Sequence, residues 1–392
     1  MRWRVLGCAA GLVVVLAAAV QLHAGATYTV TDLGTLGGPP GEASFAYGIN
    51  DLGQVVGRAF AQTPSGPAVH AFRTAPNQAI NSATDDLGTL GGNASVGWAI
   101  NNKGQVVGWS WLPNGSRWEH AFRTAPNQPI NPATDDLGTL GGSGSWARGI
   151  NDSGQVVGES SLPGDSISRA FRTAPNQAIN PATDDLGAMA GVSGDAWAIN
   201  EAGQVVGRSS AGAYRTGPNR GIDPNTDTLG TLGGASSGAY AINSSGQVAG
   251  TSRFTPGVMK EHVFRTGPNQ PINPATDDLG TYGEDGPMVW GMNDRGDIVG
   301  MLSTAYGDNE LAFVCQGSTV FDLNELNDPG SGWMLMDAHD INNLGQIVGS
   351  GYHDGVRRAF RLDPIPEPSG LAIGIGGIGF FALARRQKRQ RA

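Results

Sequence analysis

The sequence predicts an all-β chain folded as a seven-bladed β-propeller, with an N-terminal strand closing the last blade. Three observations predict it. The string GQVVG, or a close variant, begins at Gly53, Gly104, Gly154, Gly203, Gly246, Gly296 and Gly345, at spacings of 51, 50, 49, 43, 50 and 49. Each of these units holds four short strand candidates. The N-terminus carries a spare fourth strand, and the last unit stops after its third. A fixed period near 50 outranks the two or three domains that 392 residues would otherwise suggest at about 150 residues each. Four antiparallel strands per unit are propeller blades, because solenoids stack helices or single strands instead.

Within a unit, the first strand ends in Ile-Asn, as in Tyr47-Gly48-Ile49-Asn50, and the second starts at Gln54-Val55-Val56-Gly57. The turn between them reads Asn-x-x-Gly. Asn caps its own backbone there and Gly accepts the left-handed conformation of a type I turn with a bulge. That Asn and Gly recur in all seven units, so Asn151 is expected to contribute about 1 kcal/mol as a turn residue. The third strand is His70 to Thr74, centred on Phe72, and the fourth is Asp86 to Leu90. Four strands in each of seven units give 28. No part of the body keeps a helical period. Thr29 to Leu36 has the composition of a fourth strand with no blade ahead of it, so it should run antiparallel to Arg358 to Leu362.

Composition agrees. Gly is 61 of 392 without a three-residue period, which excludes collagen, and 39% hydrophobic with 15% charged excludes disorder. Cys8 and Cys315 are too few for a disulfide scaffold.

Both ends read as addresses, leaving the body at 27–363. Residues 1–26 have a basic start (Arg2, Arg4), an apolar run from Val5 to Val20 and Ala24-Gly25-Ala26, the pattern of a secretory signal peptide. Residues 364–392 hold Pro366, Glu367 and Pro368, an apolar stretch from Gly370 to Ala384, and Arg385, Arg386, Lys388, Arg389 and Arg391. Fifteen apolar residues make a short membrane helix with a basic flank. This order resembles the PEP-CTERM sorting signal. The resemblance implies transient membrane anchoring, an exosortase as processing partner, and delivery to the cell surface or extracellular matrix. The strings AxGINxxGQVVG, HAF and DLGTLGG resemble HAF-repeat extracellular proteins across residues 29–362. That resemblance implies an exported repeat fold and brings no catalytic residue or ligand.

Setting aside the two leader arginines, the five basic tail residues and Glu367 leaves 18 basic against 33 acidic groups, a net charge of −15. Such a body lacks the basic face that nucleic acid requires. Six residues before each repeat Gly stand Tyr47, Trp98, Arg148, Trp197, Tyr240, Trp290 and His339, alternating with small residues. The favoured reading is large packed on small between blades; the other is an aromatic ring at the channel mouth that stacks on sugars. His70, His120 and His262 lie on different blades, so they suit local hydrogen bonds better than a metal. Arg73 and its equivalents are expected to pair with Asp86 and its equivalents, except in the sixth unit, where Val314 stands. Thr84-Asp85-Asp86 is a poor calcium loop, Gly234 to Gly238 matches G-x-S-x-G without a helix after it, and Gly374, Gly376 and Gly379 match G-x-G-x-x-G inside the tail. The expectation is no catalytic residue, no metal and no cofactor.

The connection after the second strand differs in every unit and carries Trp111, Trp118, Phe254 and Tyr306 as candidate ligand-face aromatics. Variable loops on a rigid frame are where binding concentrates. The sequence thus points to a secreted, non-enzymatic interaction protein for matrix polysaccharide or surface proteins. The alternative is a polysaccharide lyase or hydrolase with carboxylates grouped at the channel mouth, around Asp195, Asp337 and Asp340.

Overall fold

In a computed structural model, residues 28–113, 118–189, 193–255, 260–281, 286–303 and 310–366 are described. The leader and the sorting signal beyond Pro366 lie outside them, as does Tyr306. Among the described residues no helix is long and apolar enough to cross a membrane.

The chain is all-β. Its strands form seven small antiparallel sheets, set in a propeller-like ring. The first is Ser44–Ile49, Val55–Thr63 and Gly66–Arg73. The fourth is Gly194–Ile199, Val205–Ser209 and Gly212–Arg215, and the fifth begins Ser237–Ile242, Val248–Arg253 and Glu261–Arg265. The seventh is Trp333–Ile341, Ile347–His353 and Val356–Pro364. The first strand of each sheet touches that of the next, and Trp333–Ile341 returns to Ser44–Ile49. Tyr28–Gly34 completes the seventh sheet, with Thr29 opposite Asp363 and Asp32 opposite Phe360. The pairing expected from the spare N-terminal strand is present.

The second glycine of GQVVG has a steric cause. Each first strand carries a bulge, in the third sheet between Ala147 and Gly149. The bulge lays a carbonyl across the second strand, and a Cβ on Gly158 would lie 1.9 Å from the Trp146 oxygen. Only glycine fits there.

The turn asparagines do more than shape turns. Asn151 Oδ1 accepts from the Gln155 backbone N–H at 3.0 Å, as a turn residue should. Its Nδ2 donates to Gln155 Oε1 at 2.9 Å and, across the gap, to the Asn200 carbonyl at 3.2 Å. The same link runs from Asn50 to Asn101, from Asn101 to Asn151, from Asn200 to Asn243 and onward. Asn342 Nδ2 closes it on the Asn50 carbonyl at 3.0 Å. The expected 1 kcal/mol is therefore too small.

Two other expectations are corrected. Only two of the seven units have a fourth strand of their own longer than one bridge, Asp278–Gly280 and Thr319–Asp322. Elsewhere Phe72 bridges Asp86 alone, and likewise in three further sheets, so the described residues hold 24 strands. Asp86 Oδ1 accepts from the Gly88 N–H at 2.8 Å, and left-handed Gly88 turns the chain away. Asp86 also does not pair with Arg73. It holds His70 Nδ1 at 2.9 Å, and His120 and His262 hold Asp136 and Asp278 in the same way. Arg73 is the longer side chain and reaches the next sheet, donating to the Gln128 carbonyl at 3.0 Å. Asp85 caps its own loop, accepting from the Asn81 N–H and Thr84 Oγ1, so the two carboxylates of that turn face different partners.

Candidate functional site

The large residues six before each repeat Gly do not pack across the gaps, as favoured above. Gly48, the small residue beside them, faces the next sheet, where its Cβ would lie 3.0 Å from the Trp98 carbonyl. Tyr47, Trp98, Arg148, Trp197, Tyr240, Trp290 and His339 instead converge on the ring axis around a cavity of about 70 Å³. Tyr47 meets Trp98 at 4.4 Å and His339 at 4.8 Å between ring centroids, and Arg148 lies over Trp197 at 4.1 Å. Burial pushes the His339 imidazole below its ordinary pKa, so it sits neutral among the rings. These side chains form a plug that divides the axis into two mouths.

The lower mouth is built from repeated residues. Ile49 and its equivalents floor a cavity of about 330 Å³, rimmed by the asparagine ring. Outside it the Asp51 N–H donates to Asn102 Oδ1, the Asn102 N–H to Asp152 Oδ1 and the Asp152 N–H to Glu201 Oε1, a second set of bonds from unit to unit. The loop after the third strand reinforces the same face, with Asn127 Oδ1 taking Gln54 Nε2 at 3.0 Å. This face is the joinery of the ring.

The upper mouth is the opposite. Eight residues before each repeat Gly, the cross-strand pairs are Phe45–Arg58, Val96–Trp109, Trp146–Glu159, Asp195–Arg208, Gly238–Thr251, Met288–Met301 and Asp337–Ser350. No two are alike. Packing would have tolerated seven copies of one pair, as it does below.

Between the third, fourth and fifth sheets these side chains open into a groove of about 560 Å³ lined by Asp195, Arg208, Tyr240, Arg253 and Glu261. A second pocket of about 200 Å³ shares Arg208, Tyr240, Thr251 and Glu261 and adds Trp197, Met288 and Trp290. Arg208 Nε holds Asp195 at 3.3 Å, and Thr251 Oγ1 donates to Glu261 Oε2 at 2.6 Å. Burial raises the Tyr240 pKa, which keeps its hydroxyl protonated. Ser236, the serine of the G-x-S-x-G match, borders the groove, but the chain continues from it as the strand Ser237–Ile242 and not as a helix.

The candidate aromatics lie on this face without converging. Trp111 Nε1 donates to Glu119 Oε1 at 3.3 Å. Trp118 is 55% exposed. Phe254 is 46% exposed and stacks on His262 at 4.9 Å. None of the three lines the groove. Tyr240 belongs to the set for which an aromatic ring at the channel mouth was the less favoured reading; Arg208 and Glu261 escaped the sequence reading, although the divergence of the units at their positions was there to be compared.

The three carboxylates named for an enzyme do not form one cluster. Asp195 is in the groove. Asp337 is buried against Ser350 and Arg357, at 2.8 and 2.5 Å. Asp340 sits where the other units have Gly or Ala, and accepts from the Ile49 N–H at 3.0 Å across the seam between the last and first sheets. Burial raises its pKa to about 6. The folded state thus favours the proton, so this group adds stability as pH falls from about 6 to about 4 and withdraws it above. A two-unit difference is worth about 3 kcal/mol. Denaturant unfolding at pH 7.5 and 5 should show this slope in the wild type and lose it in Asp340→Asn. An identical slope in both proteins would clear Asp340.

No protein-family model matches the chain, and no curated protein does. The chain is similar in shape to several solved structures, two of which follow. One is an oxidoreductase described as a glucose dehydrogenase from Thermus thermophilus, 12% identical, with 70% of this chain and 98% of that one covered at a TM-score of 0.39. The other is a Trypanosoma rangeli sialidase solved with a difluorinated 2-keto-3-deoxy-nononic acid, 9% identical, with 82% of this chain and 53% of that one covered at a TM-score of 0.33.

Proposed function

We propose that this chain is a seven-bladed β-propeller of the HAF-repeat kind, exported by its leader and routed to the surface or matrix by a PEP-CTERM signal that an exosortase processes. It acts there as a non-enzymatic interaction protein that binds glycan through its upper mouth. One observation carries the reading. The units repeat the asparagine that bonds each to the next, whereas at the upper mouth, where rings and charged groups share a groove, no two cross-strand pairs are alike. Strands joined the same way seven times need no such divergence for stability; a ligand does.

The attachment point supports display. The last strand ends at Pro364 beside Gly345, on the lower face, and Asp363 takes Gln346 Nε2 at 2.6 Å. A tail leaving there turns the lower face toward the membrane and the upper mouth outward. The groove's carboxylates are already engaged, Asp195 by Arg208 and Glu261 by Thr251, which suits binding better than proton transfer.

The test is affinity electrophoresis of the full chain, purified in mild detergent, through gels holding the extracellular polysaccharide of the cells that make it. Retardation is expected, with no change in polysaccharide chain length after long incubation. Shortened chains would convert the reading to a hydrolase or lyase, and free migration would remove glycan binding altogether.

A further inference from the structure

We infer that the groove between the third, fourth and fifth sheets is a binding site for uncharged hexose units of a polysaccharide. The inference rests on the reading of the upper mouth as a glycan-binding face and adds where and what it binds.

The chemistry of the walls selects the ligand. Tyr240 and Trp290 offer flat apolar surface beside Met288, which is 47% exposed although its neighbours are packed. A sugar ring presents an apolar C–H face to such a wall and hydroxyls at its edge. Across the pocket stand Arg208, whose side chain is 56% exposed, and the carboxylates of Asp195 and Glu261. A guanidinium donates two parallel bonds and a carboxylate accepts two, the spacing that vicinal hydroxyls match from either role. The smaller pocket, at about 200 Å³, suits one ring, and the 560 Å³ groove beside it extends the site along a chain.

Charge selects against the common alternatives. The groove holds Glu159, Asp195 and Glu261 against Arg208 and Arg253, within a body of net −15. An anionic polysaccharide would meet repulsion at the site and at long range. Asp195 and Arg208 are paired with each other and Glu261 accepts from the Thr251 hydroxyl, so donors and acceptors stand side by side, which suits hydroxyls better than a fixed cation.

Calorimetric titration of the full chain with maltohexaose, cellohexaose and mannohexaose, and with polygalacturonate, tests this. At least one neutral hexaose should bind. Arg208→Gln and Glu261→Gln should each weaken it about tenfold, the loss of one charge-assisted bond, with an unchanged melting temperature. Trp118→Ala, elsewhere on the same face, should change affinity less than twofold. If a saccharide binds but only Trp118→Ala weakens it, the groove assignment is overturned and the upper-face reading stands. Preference for polygalacturonate overturns the uncharged class. Binding of none of them by the wild type overturns this inference, and free migration in the matrix polysaccharide gel then overturns the wider reading with it.

Discussion

Deleting residues 27–38 will leave a chain that unfolds or aggregates. Tyr28, Leu33 and Leu36 are all buried, the last two against Ile49, Phe72 and Val348, and so pack the seam between the first and last sheets. The Leu33 carbonyl also takes the Ile80 N–H at 2.8 Å. Burial of three such side chains stabilises by about 6 kcal/mol at roughly 2 each, against a net folding stability of about 5–15 kcal/mol. The deletion also strips the pairing edge of Val356–Pro364, an invitation to intermolecular strand addition. Size exclusion and thermal melting of the deleted protein will show the loss. A monomer of unchanged stability would mean that the first and last sheets hold together without the N-terminal strand.

Asn151→Ala will cost about 3 kcal/mol or more, several times what a turn residue gives. Asn151 is 2% exposed, and its removal leaves the Gln155 N–H without a partner in a buried ring and takes from the Asn200 carbonyl one of its two donors, the Gly203 N–H being the other. Each buried polar group left without a partner costs about 1–3 kcal/mol. The neighbouring Asp152→Ala, which is solvent-facing, should cost well under half as much. Denaturant midpoints for the two variants provide the comparison. Equal, small effects would show that the asparagine ring follows from closure and does not contribute to it.

The amino-acid sequence by itself determined the all-β class, the unit boundaries, the Asn-x-x-Gly hairpins and the pairing of Thr29 with the far end of the chain. Each is a local signal, a turn that dictates its residues or a strand left without a neighbour. It also separated a repeated face from a variable one, because internal repeats can be compared without any structure. What only the tertiary structure decided was direction. Period-two alternation shows that Trp197 and Ala198 face opposite ways, but not that the tryptophan side is the ring axis and the alanine side the next sheet. Asn151 looked like a turn residue because its turn bonds are four residues away, whereas its partner Asn200 is 49 away. Arg73 and Asp86 lie at the same Phe72–Asp86 bridge yet do not pair, since a long guanidinium reaches the next sheet and leaves the aspartate to His70. The groove was hidden for the same reason. Asp195, Tyr240 and Glu261 come from two sheets and three strands, and only the curvature of a closed ring brings such residues to one wall.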